Sequence, residues 1–192
     1  MARSRLTLAL GILLLLLSGC GDKSERVPAA GDTGFTNYVP LAEPDSLSSL
    51  SRSNRELDVD ALSEDALEPA ALAGVLEKAD FEGGEEIEYT GHTKLYSHVV
   101  TRTLLFGKPD GASAYLEWLD ENAADVLGPV KSRLLLAMGS DGVLLREQGC
   151  NCHSDLPTYL AAWRAGAVVR TLLADGAGMN ARRVRALARE LG

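Results

Sequence analysis

The residues best equipped for chemistry lie in one short stretch, Gly149-Cys150-Asn151-Cys152-His153-Ser154-Asp155. Two thiols one residue apart, followed at once by an imidazole, allow three outcomes. Cys150 and Cys152 can close a disulfide, whose very small ring is strained and easily reduced. They can hold a soft metal with His153, since thiolate and imidazole are the donors such ions select. Or they stand as free thiols of a surface loop. The spacing excludes covalent haem attachment, which requires two residues between the cysteines, and a full zinc motif would need a second pair. His92 and His98 could complete a metal site if the fold carried them to this loop, although a histidine at a strand end is more often a surface or hydrogen-bonded group. Glu85, Glu86 and Glu88 are close in sequence but read as a solvated acidic turn, because a carboxylate pair for acid–base work must be assembled in space. A Gly-x-Ser-x-Gly elbow, a phosphate loop, a dinucleotide fingerprint and a His-Glu-x-x-His pair are all missing. The residues therefore point to neither a cofactor nor catalysis, and the rival reading is a redox or soft-metal-binding protein that uses Cys150, Cys152 and His153.

Which outcome the two cysteines take depends on their compartment, and the first twenty residues speak to that. Arg3 and Arg5 precede an apolar core of 12 residues, Leu6 to Leu17, and Ser18 and Gly19 follow as small residues. This is the three-part layout of an export signal, and the core is short of the ~20 residues that span a bilayer. Leu17-Ser18-Gly19-Cys20 resembles the lipobox of bacterial lipoproteins at every position: Leu, a small residue, Gly, Cys. The resemblance implies that residues 1–19 are a signal peptide cleaved before Cys20, and that the Cys20 thiol carries a diacylglyceryl group. That group brings the two acyl chains that stable anchoring needs, and the resemblance allows acylation of the new amino group as well. The expected location is extracytoplasmic, held to the cell membrane, or to the outer membrane if there are two. There thiols tend to pair, so the Cys150–Cys152 disulfide is favoured over the metal site and the free thiols. Titration of the unfolded, unreduced protein checks this; two free thiols per mature chain would rule it out.

Charge narrows the partners. Removing Arg3 and Arg5 takes the net charge from −8 to −10. Residues 20–91 hold 5 basic and 17 acidic residues, whereas 92–192 hold 12 and 10. An acidic stalk before a near-neutral domain argues against nucleic acid, whose binders carry a basic patch. It argues equally against electrostatic adhesion to anionic lipid. Membrane contact is expected through the lipid on Cys20 alone, and the partner is expected to be a small ligand or another envelope protein.

The elements that would position these residues follow from periodicity. Residues 20–60, rich in Ser, Pro, Gly and acids, read as a flexible tether that buries too little to offset its ordering entropy; Leu47-Ser48-Ser49-Leu50-Ser51-Arg52-Ser53 is typical of it. Within it only Phe35 to Leu41 is apolar enough to dock. The domain is expected over 61–192. Pro69 suits a first helical turn, with Leu72, Val75, Leu76 and Ala79 on one face and Gly83-Gly84 as its stop. Glu86 to Thr90 and Tyr96 to Phe106 read as strands, the second placing Arg102 on one face with Val100, Leu104 and Phe106. Asp110 is a candidate N-cap for an amphipathic helix running through Leu127 to Gly128-Pro129. Two hairpins follow, Leu134–Met138 with Val143–Glu147 and Thr158–Trp163 with Ala167–Leu173. Asn180 caps a last helix, whose outer face carries Arg182, Arg183, Arg185 and Arg189 and reads as solvated. The expected class is α+β: an antiparallel sheet of about five to six strands with about three helices mainly on one face. In element order this is similar to small domains of exported lipoproteins and sensor ectodomains.

Overall fold

The computed structural model describes residues 44–64, 66–139, 141–147 and 156–192. The chain enters through a 3-10 turn, Asp45–Leu47, then forms β1 (Ser51–Leu57), α1 (Val59–Ser63), α2 (Pro69–Lys78), β2 (Phe81–Thr90) and β3 (His98–Phe106). Next come α3 (Pro109–Glu121), α4 (Ala123–Leu127), β4 (Val130–Leu135), β5 (Gly142–Glu147), β6 (Thr158–Ala165), β7 (Val168–Asp175) and α5 (Ala181–Glu190). Among the described residues the strands make one sheet of seven, ordered β1-β2-β3-β7-β6-β5-β4, with every neighbouring pair antiparallel. The class is α+β, as expected, but the strand count exceeds five to six. Two meanders, β1-β2-β3 and β4-β5-β6-β7, join where β3 meets β7. The chain reaches the far edge by running through α3 and α4 across the sheet.

Local chemistry accounts for several boundaries. Pro69 occupies the first turn of α2, where its missing N–H costs nothing. That helix ends before Gly83-Gly84: Asp80 takes the left-handed conformation at φ 60°, which Asp tolerates better than most residues. The glycines lie in β2, where a Cβ on Gly84 would come within 2.8 Å of Leu104 and the Thr103 carbonyl. Lys108, not Asp110, is the N-cap of α3, and Asp110 sits in the first turn beside the helix's positive end. The single helix expected through Leu127 is broken at Asn122, whose backbone N–H and side-chain amide both donate to the Trp118 carbonyl, at 2.9 and 2.8 Å. Asn180 caps α5 as expected, its side chain accepting from the Arg182 and Arg183 amides at 3.1 Å.

Two cores form, one on each face of the sheet. Leu57, Leu104, Phe106, Leu145, Leu160 and Val169 project to the face covered by the four helices α1 to α4, meeting Leu72, Leu76, Tyr115 and Leu119. Ile87, Tyr89, Val99, Trp163 and Leu172 project to the other, where α5 supplies Val184, Leu187 and Ala188. Four helices share one face, but the fifth lies opposite, so the fold has three layers. The sheet alternates side chains between its faces, and β6 and β7 are apolar on both, which forces cover on both.

The fold begins earlier in the chain than expected. Leu47 and Leu50 are 0% and 8% exposed in the core beneath α5, and Leu57 is 2% exposed in the other. Residues 44–60 therefore belong to the fold rather than to a 20–60 linker. β1 pairs along its whole length with β2, Ser51 opposite Thr90 and Leu57 opposite Gly84. Phe35 to Leu41 lies outside the described residues. Among the described residues no helix is long and apolar enough to cross a membrane.

Candidate functional site

The four-helix layer leaves one corner of its face uncovered, over β1, β2 and β3. A cleft of about 430 Å³ opens there, lined by Ser53, Arg55, Glu86, Glu88, His98 and Arg102, with no helical residue in its wall. Register builds it. Arg55 on β1 lies opposite Glu86 on β2, and Glu86 opposite Arg102 on β3, so the charges alternate along one row. The Arg55 Nε donates to Glu86 Oε1 at 2.7 Å, and the Arg102 Nε to Oε2 at 2.6 Å. Each carboxylate oxygen thus has its own guanidinium. The Glu86 side chain is 10% exposed, Arg102 25% and Arg55 42%, so the row is buried at its centre and more open at both ends. Burial pushes the Glu86 carboxyl up, but the hydrogen bonds and charges of Arg102 and Arg55 together outweigh it and hold it below the usual carboxylate range.

A second row closes the end of the cleft. His98 Nε2 lies 2.8 Å from Glu88 Oε1, and His98 Nδ1 lies 3.8 Å from Asp175 Oδ2. Ser53 Oγ donates to the second Glu88 oxygen at 3.4 Å. Behind Arg102, between sheet and helices, lies a further cavity of about 130 Å³ lined by Leu62, Leu72, Tyr115, Trp118 and Leu160 among others. Burial raises the Tyr115 hydroxyl to about 12, with the Arg102 charge pulling the other way. Arg102 thus stands between an open polar cleft and a closed, mostly apolar one.

The residues singled out from sequence fall elsewhere for the most part. Cys20, Cys150, Cys152 and His153 lie outside the described residues. The strands flanking the cysteine loop place its ends: Thr158, where β6 begins, and His98 are both opposite Asp175 on β7. His92 is exposed in the connection between β2 and β3. Glu85, Glu86 and Glu88 form no turn; they lie within β2, and Glu86 is buried. Among the described residues no three His, Cys, Asp or Glu side chains are grouped as metal ligands. The Arg55–Glu86–Arg102 row escaped the sequence reading. Its one signal was Arg102 on an apolar strand face, since a guanidinium is seldom buried there without a carboxylate.

Fold and cleft define a three-layer antiparallel α+β domain with a paired charge row at an uncovered corner. No family model and no curated protein matches this chain.

Proposed function

We propose that the chain is a lipid-anchored protein of a bacterial envelope, and that its folded part is a binding domain rather than an enzyme, with the corner cleft as the binding surface. The observation that carries this reading is the alternating charge row set in a cleft that no helix covers. Half-buried ion pairs are expensive to desolvate, and here the cost yields donors and acceptors fixed in place before any ligand arrives. Such preorganised polar groups in a concave site suit recognition of a small polar ligand, or of a projecting segment of another envelope protein. Catalysis is less well served. A carboxylate kept ionised between two guanidiniums is a weak base, and His98 is already engaged by Glu88.

The address rests on Leu17-Ser18-Gly19-Cys20 and the signal before it. Fatty acid fed to cells is expected to label the parent chain, and Cys20→Ser is expected to abolish the label; label retained by the variant, or absent from the parent, sinks the anchor. For the cleft, Ser53 is exposed at its mouth. Ser53→Trp should fill the site at little cost to thermal stability. A photoreactive group beside the cleft should then lose the crosslinks it forms in the parent chain; undiminished crosslinks would argue that the ligand sits elsewhere.

A further inference from the structure

The sheet separates two helix layers of opposite charge. Within α1 to α4 there are seven acidic residues and one lysine, whereas α5 carries four arginines and Glu190 alone. Arg182, Arg185 and Arg189 recur at i, i+3 and i+7, the spacing of one helix face, and Arg183 flanks them. Val184, Leu187 and Ala188 point into the core, so this face points away from the sheet. Arg182, Arg183 and Arg189 are exposed, and Arg185 is held by donating to the Leu135 carbonyl at 3.1 Å. The chain arriving from Cys20 enters the fold on this same side. Ser46, two residues after Pro44, donates to Glu190 at the end of α5 at 3.0 Å. With Asp45 and Glu190 counted, this surface still has an excess of two positive charges.

We infer that the arginine face of α5 rests on the anionic headgroups of the membrane to which the chain is anchored, turning the corner cleft outward. The inference rests on the anchor proposed above for its setting, but the contact itself is electrostatic. The domain's overall acidity does not oppose it. With two helix layers each ~10 Å across, the acidic layer lies roughly 20–30 Å from a surface touching α5. That is about two and a half to four Debye lengths at physiological salt, so its repulsion is largely screened while the arginines act at contact. Each arginine near an anionic leaflet strengthens adhesion about fivefold. Contact through α5 puts the entry of the chain, beside Glu190, on the membrane side and the opposite sheet face, with the cleft, farthest from it.

The test uses the full mature chain bearing Cys20→Ser, so that no acyl group holds it, and vesicles of phosphatidylcholine with or without about one-third phosphatidylglycerol. The chain is expected to sediment with the anionic vesicles at about physiological salt, to dissociate as salt rises further, and to ignore the neutral ones. Arg182→Gln with Arg189→Gln should weaken that partition about 25-fold, because two contact charges are lost. Glu117→Gln with Glu121→Gln, on the acidic layer, should not weaken it. Equal partition of the arginine variant and its parent overturns the inference. So does binding to polyglutamate without binding to vesicles, which assigns the face to an acidic protein instead. Flotation of the acylated chain on neutral vesicles reports on the anchor alone, so the two readings fail separately.

Discussion

A chain shortened to begin at Ala61 is expected to show no cooperative thermal transition, whereas one beginning at Glu43 keeps the midpoint of the full mature chain. The difference is residues 43–60, which a reading of composition assigns to a solvated linker. Leu47, Leu50 and Leu57 are at most 8% exposed. Burying a leucine side chain contributes about 1.5–3 kcal/mol, so their loss removes about 5 kcal/mol or more. The whole stability of a domain of this size is about 5–15 kcal/mol. The shortened chain also loses β1, which exposes the edge of β2, and with it Arg55, which leaves Glu86 one guanidinium. Circular dichroism on heating measures the outcome. A cooperative melt of the shorter chain within a few degrees of the longer one would show that β1 is dispensable.

Glu86→Ala is expected to cost about 3 kcal/mol. Removing one member of a buried ion pair costs about 3–5 kcal/mol, since the charge left behind is desolvated and unpaired. Arg102, at 25% exposure, suffers most, while Arg55, at 42%, recovers part of its hydration, which places the estimate at the low end. The thermal midpoint should fall by about 6–12 °C for a domain of this length. A loss below about 1 kcal/mol in denaturant titrations would mean that water already solvates the row. Pairing Glu86→Leu with Arg102→Met should recover much of the loss, as apolar replacement of buried pairs often does. The pH dependence has a definite sign. Glu86 is held below its unfolded value, so its contribution is complete above the ordinary carboxylate pKa of about 4.3 and disappears as pH falls through the lower folded value. The stability gap between the parent chain and Glu86→Gln should therefore be constant from neutral pH to about pH 5 and close only under stronger acid.

What the sequence reveals of the fold depends on the range over which the cause acts. Pro69, Asn180 and the stripe Leu116, Leu119, Ala123 act within one or two helical turns, and the corresponding helices fall close to where periodicity places them. The hairpin of β6 and β7, turning near Gly166, is equally local. β1 is different. Ser51-Arg52-Ser53-Asn54-Arg55 carries no apolar alternation and is exposed along its length up to Leu57. Only pairing with β2, some thirty residues further on, makes it a strand. The placement of helices on both faces escapes for a related reason: apolar runs in β6 and β7 are compatible with a buried strand but do not say what buries it.

The candidate site divides in the same way. The sequence by itself carries the pattern on which the proposed lipid anchor rests, because Leu17-Ser18-Gly19-Cys20 is contiguous. It also sets two thiols beside an imidazole at Cys150, Cys152 and His153, and lines the last helix with arginines at helical spacing. Tertiary structure alone decides that Arg55, Glu86 and Arg102 meet, because cross-strand register joins residues 31 and 16 positions apart. It alone decides that the acidic and basic helices lie on opposite faces of the sheet. Net charge is a sum over the chain and carries no direction, whereas a surface responds to where charges sit. The near-neutral totals after His92 thus conceal a polarised molecule, and polarity of that kind is created only when the sheet comes between its helices.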